Sequence, residues 1–212
     1  MSVTTQNRRS GSTGKPAWEL AQYFPLQGRW SEIDYLSLDF AMENQRRIEL
    51  VNGFLDFLPM PTRLHERIVK YLFVALLEFN RSKGLGEVFF SGRKTRLWKS
   101  EIRLPDILFV MKENQERGTE DYSEGADLVM EVVSPGAKDR KRDLVEKRRG
   151  YAKAGISEYW IADPVLKQIT VLKLDGKEYK DVGVFKKGQK AGSALLKGFE
   201  VDVTEALAGL KH

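Results

Sequence analysis

Asp127-Leu128-Val129-Met130-Glu131-Val132-Val133, the basic stretch from Lys138 to Arg149, and Glu158-Tyr159-Trp160-Ile161-Ala162 together decide how this chain folds. Two short apolar runs on either side of one helix length read as strand, crossover helix and strand, the unit of an α/β sheet. The first run holds Glu131 among Val, Leu and Met, and Pro105-Asp106-Ile107-Leu108-Phe109-Val110 repeats the anomaly with Asp106. Burying a bare carboxylate is very costly, so each acid must be hydrogen-bonded, protonated or bound to a cation. With a lysine nearby, a site for a hard metal is conceivable.

Working outward, Ser31-Glu32-Ile33-Asp34 resembles a capping box opening a helix to about Met42. Arg47 to Val51 and Phe54 to Leu58 are strand-like and meet at Asn52-Gly53, a strong hairpin signal. From Leu64 to Phe79 apolar residues recur at helical spacing, and Gly84 and Gly86 close that helix. Glu87 to Ser91, Thr95 to Trp98 and Leu104 to Met111 read as strands, and Lys112 to Gly125 as a surface connection. The basic helix runs from Asp139 to Ala154 and stops at Gly155, and Gln168 to Leu174 with Glu178 to Phe185 forms a C-terminal hairpin around Asp175-Gly176. Val203 to Leu210 is a last short helix. The order implies a mixed α/β core, around one sheet with parallel and antiparallel parts, flanked by helices.

Composition narrows the chemistry. The 212 residues suffice for one core, which residues 18–212 are expected to form; residues 1–17, rich in Ser, Thr, Gly and Arg, read as a disordered basic tail. No apolar run approaches the ~18 residues that span a bilayer, and the start of the chain lacks a signal-peptide core, so a cytoplasmic protein is expected. With no cysteine and only His65 and His212 as imidazoles, thiolate zinc sites and histidine-based hydrolysis are disfavoured, and any metal would be oxygen-held magnesium or manganese. Of the net charge of +5, three charges sit in the first 15 residues, so overall charge says little. Between Lys138 and Arg149, however, seven bases face three acids. Lys138, Arg140, Lys141 and Arg142 could there meet phosphates, although a charge run is also what any solvated helix face carries.

Glu49-Leu50-Val51-Asn52-Gly53, His65 opening its helix, Leu104-Pro105-Asp106, Glu131-Val132-Val133-Ser134-Pro135, Asp143 with Lys147 and Tyr151, and Ala154 to Pro164, in this order, resemble the Uma family of restriction-endonuclease-like proteins. The resemblance covers roughly residues 30 to 205. It implies the PD-(D/E)XK nuclease fold, a mixed sheet with flanking helices, in which Asp106 and Glu131 would bind a divalent ion. It further implies Glu49 as a third acid near the site, where the residues alone suggest an exposed strand position. His65 could cap its helix, bind phosphate or tune the metal, or simply be packed in the core.

The sequence departs from the general nuclease pattern at Val133, which occupies the lysine position and can neither position water nor meet a phosphate. Asp143, Lys147 and Tyr151 lie four residues apart on one helical face, so Lys147 can replace it. The competing reading is an exposed ion pair with Tyr151 packed on the sheet. Asp127 would lie about 13 Å from Glu131 at ~3.3 Å per residue, too far to share its metal, and Tyr159 and Trp160 read as core. The expectation is a divalent-metal-dependent nuclease acting on DNA, with Asp106, Glu131 and Lys147 catalytic. The alternatives are a degenerate nuclease fold serving as a nucleic-acid or protein interaction module, and a structural partner in a homodimer.

Overall fold

Ser31 and Asp34 close a reciprocal cap ahead of α1 (Glu32–Ala41): the Asp34 amide donates to Ser31 Oγ at 3.1 Å, and the Ser31 amide to Asp34 Oδ2 at 3.2 Å. The capping box is thus real, with aspartate in the usual glutamate place. The computed structural model describes residues 26–41, 47–90 and 92–209; the expected tail and the ends of the first and last helices at Met42 and Leu210 lie outside them.

Asn52 and Gly53 both take positive φ, 51° and 80°, which is what a two-residue hairpin turn demands between β1 (Ile48–Val51) and β2 (Phe54–Phe57). Thr62 caps α2 (Arg63–Lys83) by accepting the His65 amide, and Gly84 ends it in the left-handed conformation. Gly86 is not part of that stop: it opens β3 (Gly86–Phe90), packed so tightly that a Cβ would lie 2.1 Å from the Val110 carbonyl oxygen. Leu64, placed by its spacing on the buried face, is 43% exposed; the face begins at His65 and Ile68.

The expected strand from Leu104 to Met111 begins only at Ile107, and a separate short strand ends at Arg103 before it. After β4 (Lys94–Trp98), β5 (Glu101–Arg103) pairs with β1, and β6 (Ile107–Met111) pairs with β3. Leu104-Pro105-Asp106 carries the chain from one sheet to the other, at a proline that has no amide to give a ladder. The polar connection hides β7 (Tyr122–Glu124), parallel to β4. One expected sheet is therefore a five-stranded sheet ordered β2-β1-β5-β4-β7 and a six-stranded sheet. The latter runs β11 (Glu178–Lys186), β10 (Gln168–Asp175), β9 (Glu158–Asp163), β8 (Leu128–Val132), β6 and β3, with β8 and β9 parallel as expected of a crossover. β12 (Lys190–Gly192) and β13 (Glu200–Asp202) form a small ribbon ahead of α5 (Val203–Ala208).

Strand alternation divides the core. Leu128, Met130 and Val132 pack with Ile107 and Phe109 beneath α2, whereas Val129 and Val133 pack with Leu108 and Tyr151 on the opposite face. Glu131 belongs by parity to this second face. Above it the crossover runs as α3 (Ala137–Lys141), a π-helical segment (Arg142–Glu146) and α4 (Lys147–Lys153). No helix among the described residues is long and apolar enough to cross a membrane.

Candidate active site

Glu49 on β1, Asp106 in the inter-sheet link, Glu131 on β8 and Lys147 at the start of α4 are each 3% exposed or less. Lys147 Nζ donates to Glu131 Oε1 at 2.7 Å and lies 3.4 Å from Glu49 Oε1 and 3.8 Å from Asp143 Oδ1. Tyr151, one helical turn on, donates to the same Glu131 oxygen at 2.6 Å. The helical triplet is therefore turned inward rather than exposed. The π segment widens the helix where Asp143 and Arg142 become buried, as π turns often do beside functional sites.

Asp106 is held from three sides. Arg47 Nη2 donates to Oδ1 at 3.0 Å, while His65 Nε2 at 3.1 Å and the Val132 amide at 2.9 Å both reach Oδ2. The last bond ties Asp106 to the residue beside Glu131, so both acids, with Lys147, Asp143, His65 and Arg47, line one cavity of about 20 Å³. Glu49 is fully buried, which overturns its reading as an exposed strand residue. Its carboxylate accepts from Arg103 Nη1 at 2.9 Å and from the Leu104 amide at 3.0 Å, fixing the chain as it leaves β5.

The electrostatics follow from crowding. Burial raises the Glu131 carboxyl, and Asp106 and Asp143 add to this against Lys147, so it is pushed up to about 7. Asp143 is raised by its burial too, in spite of Lys147 and Arg142. Burial would raise Glu49 as well, but Lys147 and Arg103 overcome it and hold the group at about 2. Asp106 is likewise lowered against its burial by His65 and Arg47. Burial disfavours the Lys147 ammonium, yet Glu131, Glu49 and Asp143 outweigh that and raise its pKa. Lysine is thus a fixed cation here, not a base. His65 is raised by Asp106 against the effect of burial.

The donor chemistry fits a hard cation. Glu49, Glu101, Asp106, Glu131, Asp139 and Asp143 outnumber the permanent cations Arg47, Arg103, Arg142 and Lys147 that pair with them. Glu131 Oε2 and Asp143 Oδ2 accept no hydrogen bond among the described residues, and a cavity of about 20 Å³ is large enough for one ion or water. No ready-made group of three or more His, Asp or Glu ligands exists among the described residues. Magnesium accepts such a site, since one or two carboxylates with water and phosphate oxygens complete its shell.

The basic patch needs correction. Arg142 is buried and pairs with Asp139 at 2.8 Å, and Arg140 is bidentate on Asp163. Of the four expected phosphate contacts only Lys138 and Lys141 extend into solvent, and both are in surface ion pairs, with Asp56 and Glu146. The cause is that Arg140 turns to Asp163 at the end of β9, while Arg142 turns to Asp139 and Asp143 of its own crossover segment. Tyr159 and Trp160 are core, as expected; Tyr159 donates to the Asp143 carbonyl and Trp160 to buried Glu158. Asp127 caps the end of β6 by accepting the Met111 amide at 2.7 Å, apart from the site.

Sequence reasoning missed Arg47 and Arg103. The signal was available: a guanidinium in Glu101-Ile102-Arg103-Leu104 is as anomalous as an acid in a strand, and its partner had to be buried with it.

Two sheets joined at a Pro-Asp link, with a strand carrying Glu131 and a crossover helix, define a mixed α/β restriction-endonuclease-like fold. The Uma2 family, described as "Putative restriction endonuclease", matches residues 33–204, and the chain belongs to it. A solved structure, "a putative nuclease belonging to DUF820 from Anabaena variabilis ATCC 29413", is similar with a TM-score of 0.65 at 15% identity, over 82% of this chain and 97% of that one. At that identity the likeness speaks for the fold alone. No curated protein matches the sequence.

Proposed function

We propose that this protein is a cytoplasmic, divalent-metal-dependent deoxyribonuclease that hydrolyses phosphodiester bonds. The observation that carries the reading is the meeting of Asp106, Glu131 and Lys147 at one small cavity, Lys147 having come from a helix to stand in for Val133. Asp106 and Glu131 would hold magnesium or manganese. When bound, such an ion neutralises phosphate charge and lowers the pKa of an attacking water. The chain's own residues do the rest. Lys147 keeps its proton and offers fixed positive charge to the phosphate in the transition state. Tyr151 and Lys147 together orient Glu131 through Oε1, so that Oε2 would be available to hold the cation. Glu49 and Arg103 hold the Leu104-Pro105-Asp106 link in place.

The test is nicking of supercoiled plasmid with manganese by wild type, Asp106→Ala and Lys147→Met, alongside calorimetric manganese binding. Metal-dependent nicking lost in both variants supports the reading. If wild type cuts no DNA of any form, and Asp106→Ala binds manganese as tightly as wild type, the reading is wrong.

A second reading has its own observation. Both Asp106 oxygens are already engaged by Arg47, His65 and the Val132 amide, an arrangement that also suits a degenerate nuclease fold binding nucleic acid without cutting it. DNA binding without hydrolysis, indifferent to Asp106→Ala, would favour it.

A further inference from the structure

Next to the small catalytic cavity lies a much larger one of about 450 Å³, and the two share Arg47, Pro61 and His65 as a common wall. Along α2, His65, Val69 and Phe73 follow at intervals of four residues on one helix face, so the groove leads about 12 Å away from the Asp106 carboxylate at ~1.5 Å per residue. Phe90, at the end of edge strand β3, packs its ring against that of Phe73 at 4.4 Å, so the two form one aromatic surface of which Phe90, 54% exposed, is the outer part. The groove is therefore apolar and aromatic at its far end and basic where it meets the acids. On the shared wall, His65 Nδ1 and Arg47 Nε are buried without a hydrogen-bond partner, and the His65 side chain is only 10% exposed. Both atoms are closed off from solvent, so what the groove itself offers a flat heterocycle is its aromatic surface.

The geometry points to this groove as a subsite for one unpaired nucleobase flanking the phosphate at the catalytic cavity. This inference rests on the hydrolytic reading and sharpens it: the preferred substrate is single-stranded, frayed or locally opened DNA rather than intact duplex. The occupant is argued from continuity with the proposed phosphate site: a strand whose phosphate lies at Asp106 and Glu131 can lead its next base past the shared wall of Arg47, Pro61 and His65 to the surface of Phe73 and Phe90. In a paired duplex that base is already stacked and cannot enter.

The test uses a single-stranded DNA 12-mer carrying 2-aminopurine and its annealed duplex, titrated with full-length protein in EDTA so that neither is cut. Wild type is expected to bind the single strand more tightly than the duplex and to change the 2-aminopurine emission. Phe90→Ala is expected to weaken single-strand binding by roughly 5- to 150-fold, the range of one lost base stack, with duplex binding unchanged. Phe90→Tyr keeps the stacking face and should restore affinity; because Phe90 is half exposed, the melting temperatures of both variants should match wild type. Equal single-strand binding by wild type and Phe90→Ala, or no single-strand binding by wild type, overturns the inference. Manganese-dependent nicking with binding indifferent to Phe90 sinks the groove alone and leaves the hydrolytic reading standing. Phe90-dependent binding by a protein that cuts nothing keeps the groove and sinks hydrolysis.

Discussion

Lys147 is the residue on which the site turns. Its ammonium is enclosed by Glu131, Glu49 and Asp143, so Lys147→Met leaves three buried carboxylates facing one another. Nicking is expected to fall by about 10²–10³-fold, the usual effect of removing a preorganised charge from a transition state. Stability should fall by about 3 kcal/mol at neutral pH, as when one partner of a buried pair is deleted. That loss should shrink near pH 5, where Glu131, pushed up to about 7, has taken up its proton; urea unfolding at the two pH values checks it. Legibility differed from residue to residue. Asp106 and Glu131 stood out because a carboxylate has no place in an apolar run. Glu49 did not, because in Ile48-Glu49-Leu50-Val51 a strand exposed on one face reads the same as one whose acid is buried against Arg103. Glu158 shows the converse: it is equally buried, but its partners Ser193, Ala194, Leu195 and Trp160 give it a purely structural task.

At the scale of elements, spacing located the helices and most strands but not their joints. Leu104 adjoins the apolar run that follows Asp106, so the spacing does not show that Leu104-Pro105-Asp106 moves the chain between sheets. The π segment was hidden as well, since its i, i+4 pattern is shared with an ordinary helix. Glycine usually ends helices, so the sequence alone makes Gly86 a stop, while its actual role is close approach of β3 to β6. Gly86→Ala should therefore be costly: the new methyl would meet the Val110 carbonyl at 2.1 Å and the Phe109 ring at 2.7 Å. A loss on the order of 2 kcal/mol or more is expected, read as a lower urea midpoint. Gly84→Ala, with nothing near its Cβ, should lose only the benefit of a left-handed cap at φ 62°, on the order of 1 kcal/mol.

The whole molecule responds to pH through opposed groups. Glu49 ionises at about 2 in the fold against 4.5 ordinarily, so the stability it contributes is present above 4.5 and is lost as pH falls toward 2. Glu131 works the other way, binding its proton more tightly when folded, so its contribution is present below 4.5 and is lost as pH rises through about 7. His65, also raised, adds to the loss on the alkaline side. The melting temperature without divalent ions is therefore expected to peak near about pH 5. Manganese should move that maximum toward neutrality by binding the deprotonated acids, a shift that Asp106→Ala abolishes; melting curves from pH 4 to 8 with and without the ion, about 1 mM, decide it. What the sequence determined by itself is the mixed α/β class, the crossover from β8 to β9, and the two acids, because hydropathy period and the cost of a buried charge are local properties of the chain. Only the tertiary structure decided that Lys147 reaches Glu131, that Arg140 and Arg142 turn inward, and that two sheets meet at Asp106. For Lys147 and Arg140 the outcome depends on which carboxylate of another element each finds in space, Glu131 and Asp163, and sequence spacing carries no information about that; Arg142 is buried together with the Asp139 and Asp143 of its own segment.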